Sequence, residues 1–322
     1  MLKTYTRQEI LSLTATRAGE TRIGETIHTF GDWLTGQPAE APGSGIRFAL
    51  LGIEEDLGIR ANKGIGTKAF AWEPFLRTFL GLQSNDFLQG ATFMVMGVVK
   101  GLDTVEAYDD SISAITGEIL SRGWIPVVIG GGHNNAYPLL KALSLTAGKS
   151  IHCLNIDPHA DLRACEGRHS GNGFSYAIER QYLGRYAMVG LHQSYNNRFI
   201  LDKLKDHDTY RAVWWEDIFL RGSYTWTQAV QQGLYFVAGT AFGVELDMDA
   251  IEHTLSSAMT PVGITAQQAC QALFMLGMHP DAAYLHLPEG AAEREDGLKQ
   301  STTGKLLSYL VTSFIKGKQE TA

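Results

Sequence analysis

Ile151-His152-Cys153-Leu154-Asn155-Ile156-Asp157-Pro158-His159-Ala160-Asp161 joins an apolar run to three groups that can bind a metal. The run Ile151 to Ile156 is continuous rather than alternating, the pattern of a strand covered on both faces. Asp157, His159 and Asp161 then recur at every second position. In an extended segment that spacing points side chains to one side. Two other segments repeat the theme. Gly130-Gly131-Gly132-His133 follows the apolar run Ile125 to Ile129, and Asp247 and Asp249 close the run that starts at Phe242. Ligands gather at the carboxyl ends of strands in open parallel sheets. One sheet edge can therefore collect His133, Asp157, His159, Asp161, Asp247 and Asp249.

Six such groups carry too many oxygens for one zinc and suit two divalent ions sharing bridging carboxylates. Turn acids and helix caps that never meet would not recur as alternate pairs at strand ends. Buried carboxylates at this density repel one another unless cations neutralise them. Water between two such ions ionises near neutral pH, so direct hydrolysis by a metal-bound hydroxide is the expected reaction class. The chain offers no competing nucleophile: it has no Gly-x-Ser-x-Gly elbow, and its glycine run lacks the Lys-Ser/Thr of a phosphate loop.

Further buried strands are predicted at Arg47–Ile53, Tyr186–Leu191, Arg211–Trp215 and Ala282–Leu287. Val105, Tyr108, Ile112, Ile115 and Ile119 mark a helix capped by Asp103 or Thr104 and stopped by Gly123. Others are predicted from Ala266 to about Leu276, opened by Thr265, and from Thr303 to Ile315. Strands alternating with helices imply crossovers and a mostly parallel sheet. No linker and no repeat divides the chain, so a single α/β domain over residues 1–322 is expected.

The 322 residues are 44% hydrophobic and 19% charged, with a net charge of −7. That balance leaves no basic surplus for nucleic acid. No stretch reaches the roughly 18 apolar residues of a membrane span, and the first residues lack the apolar core of a secretory signal. Three dispersed cysteines, Cys153, Cys165 and Cys270, fit a reducing compartment. A cytoplasmic location is expected.

The metal motifs, in this order, resemble those of the ureohydrolase superfamily of arginase, agmatinase and formimidoylglutamase. The resemblance runs from about Gly52 to the C-terminal helix. It implies one three-layer α/β/α domain around a mostly parallel sheet, two manganese ions, and a homo-oligomer, trimer or hexamer. On that pattern His133, Asp157, Asp161 and Asp247 hold one ion, while Asp157, His159, Asp247 and Asp249 hold the other. Gly132, Pro158 and Glu245 replace the non-ligand Asp, Ala and Ser usual in the three motifs.

The resemblance also implies roles around the metals. His169 stands where arginases carry a proton-shuttling histidine; a loop histidine bonded to a neighbouring carbonyl is the alternative. Arg163, two residues after Asp161, can clamp a carboxylate with parallel hydrogen bonds, or pair with Glu166. Arg168 carries the same two readings. Arg60 and Asn62, in a loop resembling the first loop of formimidoylglutamase-like members, are substrate contacts or plain surface residues. Where guanidine-hydrolysing members place a glutamate on the last strand, this chain has His286, with Glu289 three residues on. His286 is a substrate contact or a packed core histidine. Cys165 is an oxidisable thiol near the metals or a small packing residue.

The expected substrate is a small amidine: N-formimidoyl-L-glutamate, cleaved to glutamate and formamide in histidine degradation. The alternative is a guanidino compound of the arginase, agmatinase or guanidinobutyrase type, releasing urea. That reading gains if Glu289 rather than His286 faces the metals. A catalytically silent partner subunit comes third, because the ligand set is whole.

Overall fold

The computed structural model describes residues 1–35 and 45–321. Eight strands form the centre of its large sheet: β1 (Ile46–Glu54), β2 (Ala91–Lys100), β3 (Ile125–Gly130), β4 (Ile151–Ile156), β5 (Leu183–Leu191), β6 (Tyr210–Trp214), β7 (Phe242–Leu246) and β8 (Ala282–Leu287). Their spatial order is β2-β1-β3-β8-β7-β4-β5-β6. Every adjacent pair is parallel. Leu2–Lys3 and His28–Thr29 both pair with β2.

Alternation along each strand divides the core in two. Phe48, Leu50, Val127, Ile129, Leu154 and Ile156 face the helices Trp72–Leu80, Trp226–Val237, Ala266–Gly277 and Thr303–Gln319. Ala49, Leu51, Val128, Ile151 and Cys153 face Val105–Ser121, Ala136–Ala147 and Gly173–Glu179. Helices on both faces explain why the strands read as continuous apolar runs. The result is the three-layer α/β/α arrangement expected of the sequence.

Local signals act where the pattern placed them. Thr104 Oγ1 accepts from Ala107 N at 3.1 Å, and Thr265 and Gln268 form a capping box. The last helix runs on to Gln319, past the predicted Ile315. Strand β2 lies outside the predicted set. No helix among the described residues is long and apolar enough to cross a membrane.

Gly243 on β7 sits opposite Tyr284 on β8. A Cβ there would lie 2.3 Å from Tyr284 Oη. Gly243→Ala is therefore expected to lower stability by about 1–3 kcal/mol through overpacking. An unchanged urea midpoint would refute that.

Candidate metal centre

Four adjacent strands, β3, β8, β7 and β4, deliver the site at their carboxyl ends. Asp157 directly follows β4, Asp247 directly follows β7, and Glu289 lies two residues past β8. Strand β3 ends at Gly130, and Gly130 and Gly131, with φ of +89° and +73°, turn the chain sharply before His133. Buried Glu55 fastens this turn. Its Oε1 accepts from Gly132 N at 3.0 Å, Asn134 Nδ2 at 3.2 Å and Asn135 Nδ2, while Oε2 accepts from Leu57 N at 2.8 Å.

His133 Nδ1 lies 3.2 Å from Asp157 Oδ2, 3.1 Å from Asp161 Oδ2 and 3.0 Å from Asp247 Oδ2. Yet this buried nitrogen has no hydrogen-bond partner among the described residues. One nitrogen and three oxygens within 4.8 Å of one another thus converge on a point rather than on each other. A divalent cation with mixed nitrogen and oxygen ligation fits that donor set.

A second group adjoins it. His159 Nδ1 is 3.4 Å from Asp157 Oδ1 and 4.0 Å from Asp249 Oδ2. The two oxygens of Asp157 therefore face the two histidines. Outer contacts hold these acids in place: Asn155 Nδ2 donates to Asp157 Oδ2 at 3.0 Å, and Asp249 N donates to Asp247 Oδ1 at 2.7 Å. Asp161 and Glu289 adopt left-handed backbone, with φ of +49° and +68°. For such residues this costs of order 1–3 kcal/mol and persists only where the surroundings impose it.

Burial and mutual repulsion keep most of these acids from ionising together. Burial, then Asp249 and Asp157, push the Asp247 carboxyl well above its ordinary range. Burial raises Asp161 and Asp249 as well. Burial opposes ionisation of Asp157 too, but His133 and His159 outweigh it and hold that carboxyl low. Burial and Asp249 drive Glu289 up to about 8. Carboxylates that resist ionising together are what bound cations would relieve.

A cavity of about 310 Å³ opens above this cluster and reaches His159, Asp161, Asp247, Asp249 and Glu289. Arg163 and Asn62 line its mouth, and Asn62 Nδ2 donates to Ser170 Oγ at 3.1 Å. The exposed Arg163 makes no ion pair among the described residues. Glu289 thus faces the candidate metal site: its Oε1 accepts from His133 N at 2.8 Å, and its Oε2 is unpartnered among the described residues.

Other predicted residues lie elsewhere. His286 is fully buried beneath the site, its Nδ1 2.6 Å from Glu245 Oε2. Arg168 is bound to Asp109 through Nε at 2.9 Å and Nη2 at 3.0 Å, with Nη2 also donating to Asn134 O at 2.9 Å. Arg60 is held by Asp56 and Glu295. His169 lines a second cavity of about 320 Å³ that shares Asn62, Lys63 and Arg163 with the first. Its Nδ1 accepts from Gly171 N at 3.1 Å, and burial, then Arg163, lower its pKa. Exposed Cys165 lines neither cavity, and burial with Glu179 pushes its thiol up to about 11, away from thiolate reactivity.

Three residues at the site escape the sequence reading. Lys63 lines both cavities. Tyr195 stacks on His159 with centroids 5.3 Å apart. Glu245, which the motif presents as a mere replacement of a non-ligand serine, lies fully buried 3.5 Å from His133 Nε2. Its place two positions before Asp247, on the same side of β7, is the signal that could have found it.

The chain resembles known proteins in sequence and in fold. The model of the arginase family matches residues 76–288. A formimidoylglutamase of Streptococcus pyogenes serotype M12 is 27% identical over 266 residues, spanning 79% of this chain and 76% of that protein. The formimidoylglutamase structure from Bacillus subtilis superposes with a TM-score of 0.78 at 16% identity, covering 95% of this chain and 94% of the other. Trypanosoma cruzi formiminoglutamase, solved with manganese, gives a TM-score of 0.74 at 18% identity, covering 93% of this chain and 98% of the other. With the family model matching two thirds of its length, the chain belongs to the arginase family and is a hydrolase of C–N bonds.

Proposed function

We propose that this hydrolase cleaves N-formimidoyl-L-glutamate to L-glutamate and formamide with two divalent ions, manganese by family resemblance. The observation that carries the substrate assignment is Arg163, a guanidinium without an ion-pair partner among the described residues, at the mouth of the metal cavity with Lys63 beside it. Two cations suit a substrate with two carboxylates, and the guanidinium can grip one of them bidentately. The S. pyogenes relative named formimidoylglutamase supports the same reading.

His133, Asp157, Asp161 and Asp247 would hold one ion, and Asp157, His159, Asp247 and Asp249 the other. Divalent ions there would act as Lewis acids and bring the pKa of water toward neutrality. Water oxygen adds to the formimino carbon, the bond from that carbon to the glutamate nitrogen breaks, and that nitrogen gains a proton. Glu289, ionised once bound divalent ions offset the burial and Asp249 that raise its pKa, would orient the reacting group: a protonated amidine is a planar cation whose two N–H bonds match one carboxylate. His169 relays protons from the neighbouring cavity. With Nδ1 accepting from Gly171, its exchangeable position is Nε2. Its lowered pKa leaves the ring neutral at pH 7, ready to take a proton before delivering it.

A guanidino acid is the second reading, favoured by Glu289 facing the cavity, since guanidinium presents the same pair of donors. Purified manganese-loaded enzyme assayed against formimidoylglutamate, arginine, agmatine and guanidinobutyrate separates the two. Formamide release from the first is expected; urea from any guanidine with formimidoylglutamate inert would overturn the assignment. Arg163→Ala is expected to raise KM for the dicarboxylate substrate roughly 10–100-fold, as losing a charge-assisted bidentate contact of about 1.5–3 kcal/mol would. Its kcat should change little, and an unchanged KM would remove Arg163 from the binding site.

A further inference from the structure

Beneath the ligands lies a buried polar unit that the reaction above does not use. Glu245 on β7 and His286 on β8 are neighbours across the two strands and both fully buried. The carboxylate is held at both oxygens: Tyr284 Oη donates to Oε1 at 2.7 Å, and His286 Nδ1 lies 2.6 Å from Oε2. His286 Nε2 lies 3.3 Å from the carbonyl of Gly130, the residue that begins the turn to His133. Oε2 also lies 3.5 Å from His133 Nε2, a buried nitrogen with no hydrogen-bond partner among the described residues, and is the carboxylate oxygen nearest to it.

We propose that Glu245, clamped by Tyr284 and His286, is the positioning residue for the metal ligand His133. This rests on the metal-centre reading above. Nδ1 of His133 is the nitrogen that faces the three aspartates, so Nε2 must carry the ring proton when Nδ1 ligates a cation. A buried N–H needs an acceptor, and Glu245 is the one within reach. The proton fixes the tautomer, and the bond fixes the ring plane. The two clamps have a second effect: they keep a fully buried carboxylate from swinging up to become a competing metal ligand. Glu245 stands where the resembled motif usually has a serine, and His286 where guanidine-hydrolysing members place a glutamate. They meet each other, so the exchange is paired: the acid usual on the last strand is absent there, and one stands beneath His133.

Glu245→Gln keeps shape and volume but cannot accept from His133 Nε2, His286 and Tyr284 together. Loss of such an outer partner typically weakens metal binding roughly 10–100-fold. Calorimetric titration of the apoprotein with Mn2+ is expected to show that loss, with the circular dichroism spectrum retained. Tyr284→Phe, which removes one clamp, should weaken binding less, about threefold to tenfold by the same reasoning. A folded Glu245→Gln protein that binds Mn2+ within about twofold of wild type, well inside the span expected for an outer partner, would overturn the proposal, as would a Tyr284→Phe protein with lower thermal stability and unchanged affinity. Should Glu245→Gln not fold, the wild-type protein loaded with Zn2+ still decides: its proton–nitrogen correlation spectrum should show a protected His133 Nε2–H, and ligation through Nε2 would refute the assignment. Wild-type protein that binds no divalent ion at all would instead defeat the metal-centre reading itself.

Discussion

Asp157→Asn is expected to cut kcat/KM at least about a thousandfold, the largest effect of any single change in this molecule. Asp157 is fully buried and turns one oxygen toward His133, at 3.2 Å, and the other toward His159, at 3.4 Å. No other side chain faces both histidines this way among the described residues. An asparagine in its place offers one neutral oxygen and an amide that repels a cation, so on the proposed two-ion reading both ions would lose a ligand. Stabilisation by bound divalent ions is worth several kcal/mol in the transition state, and each ~1.36 kcal/mol is tenfold in rate. Elemental analysis of the variant should show less than the wild-type metal content. Activity within tenfold of wild type would remove Asp157 from the centre.

Arg168→Ala is expected to destabilise the fold by about 3–5 kcal/mol, the usual result of removing one partner from a buried ion pair. The guanidinium holds buried Asp109 through two bonds and lies over the rings of Tyr137 and Tyr176, 4.5 and 5.0 Å from their centroids. Burial already outweighs Arg168 and raises the Asp109 pKa to about 6. A folded-state pKa above the ordinary carboxylate value means that protonated Asp109 favours the fold. Its contribution is full below about 4 and lost as pH rises through about 6. Without Arg168 the folded-state value climbs further, so the deficit should be largest at neutral pH and shrink on acidification toward about pH 5. Urea unfolding of both proteins across that range tests the claim; a pH-independent deficit would contradict it. Arg168 also donates to Asn134 O beside His133, so a fall in metal affinity should accompany the loss.

The acids and histidines that meet at the sheet edge can be picked out of the sequence because their chemistry and their spacing coincide. Alternate acids after a continuous apolar run can be placed at a strand end with no knowledge of what packs around them. The surrounding residues resist such reading for a physical reason. Whether Arg168 or Arg163 reaches the cavity depends on acids far away in the chain: Asp109, 59 positions earlier, captures the first, and no equivalent among the described residues captures the second. Arg60 is captured in the same way by Glu295, 235 positions later. The local pattern puts His286 on its strand, but its depth beneath the site follows from Glu245 on the neighbouring strand, which the motif alone presents as a passive replacement.

The sheet order has a consequence for how the molecule is made. Strands β3 and β4 are consecutive in the chain, yet β8 and β7 lie between them in the sheet. Until residues 242–287 are made, β3 and β4 each pair on one side only, with β1 and β5, and the edges they later turn to β8 and β7 are left open. Unpaired edges of that kind recruit other chains. The gap closes only when residues 242–287 leave the ribosome, and the same event brings Asp247 and Glu289 to His133 and Asp157. On the proposed metal reading, capture of the ions would therefore wait for completed synthesis: a chain lacking its last strands has His133, Asp157, His159 and Asp161 but not Asp247 and Asp249.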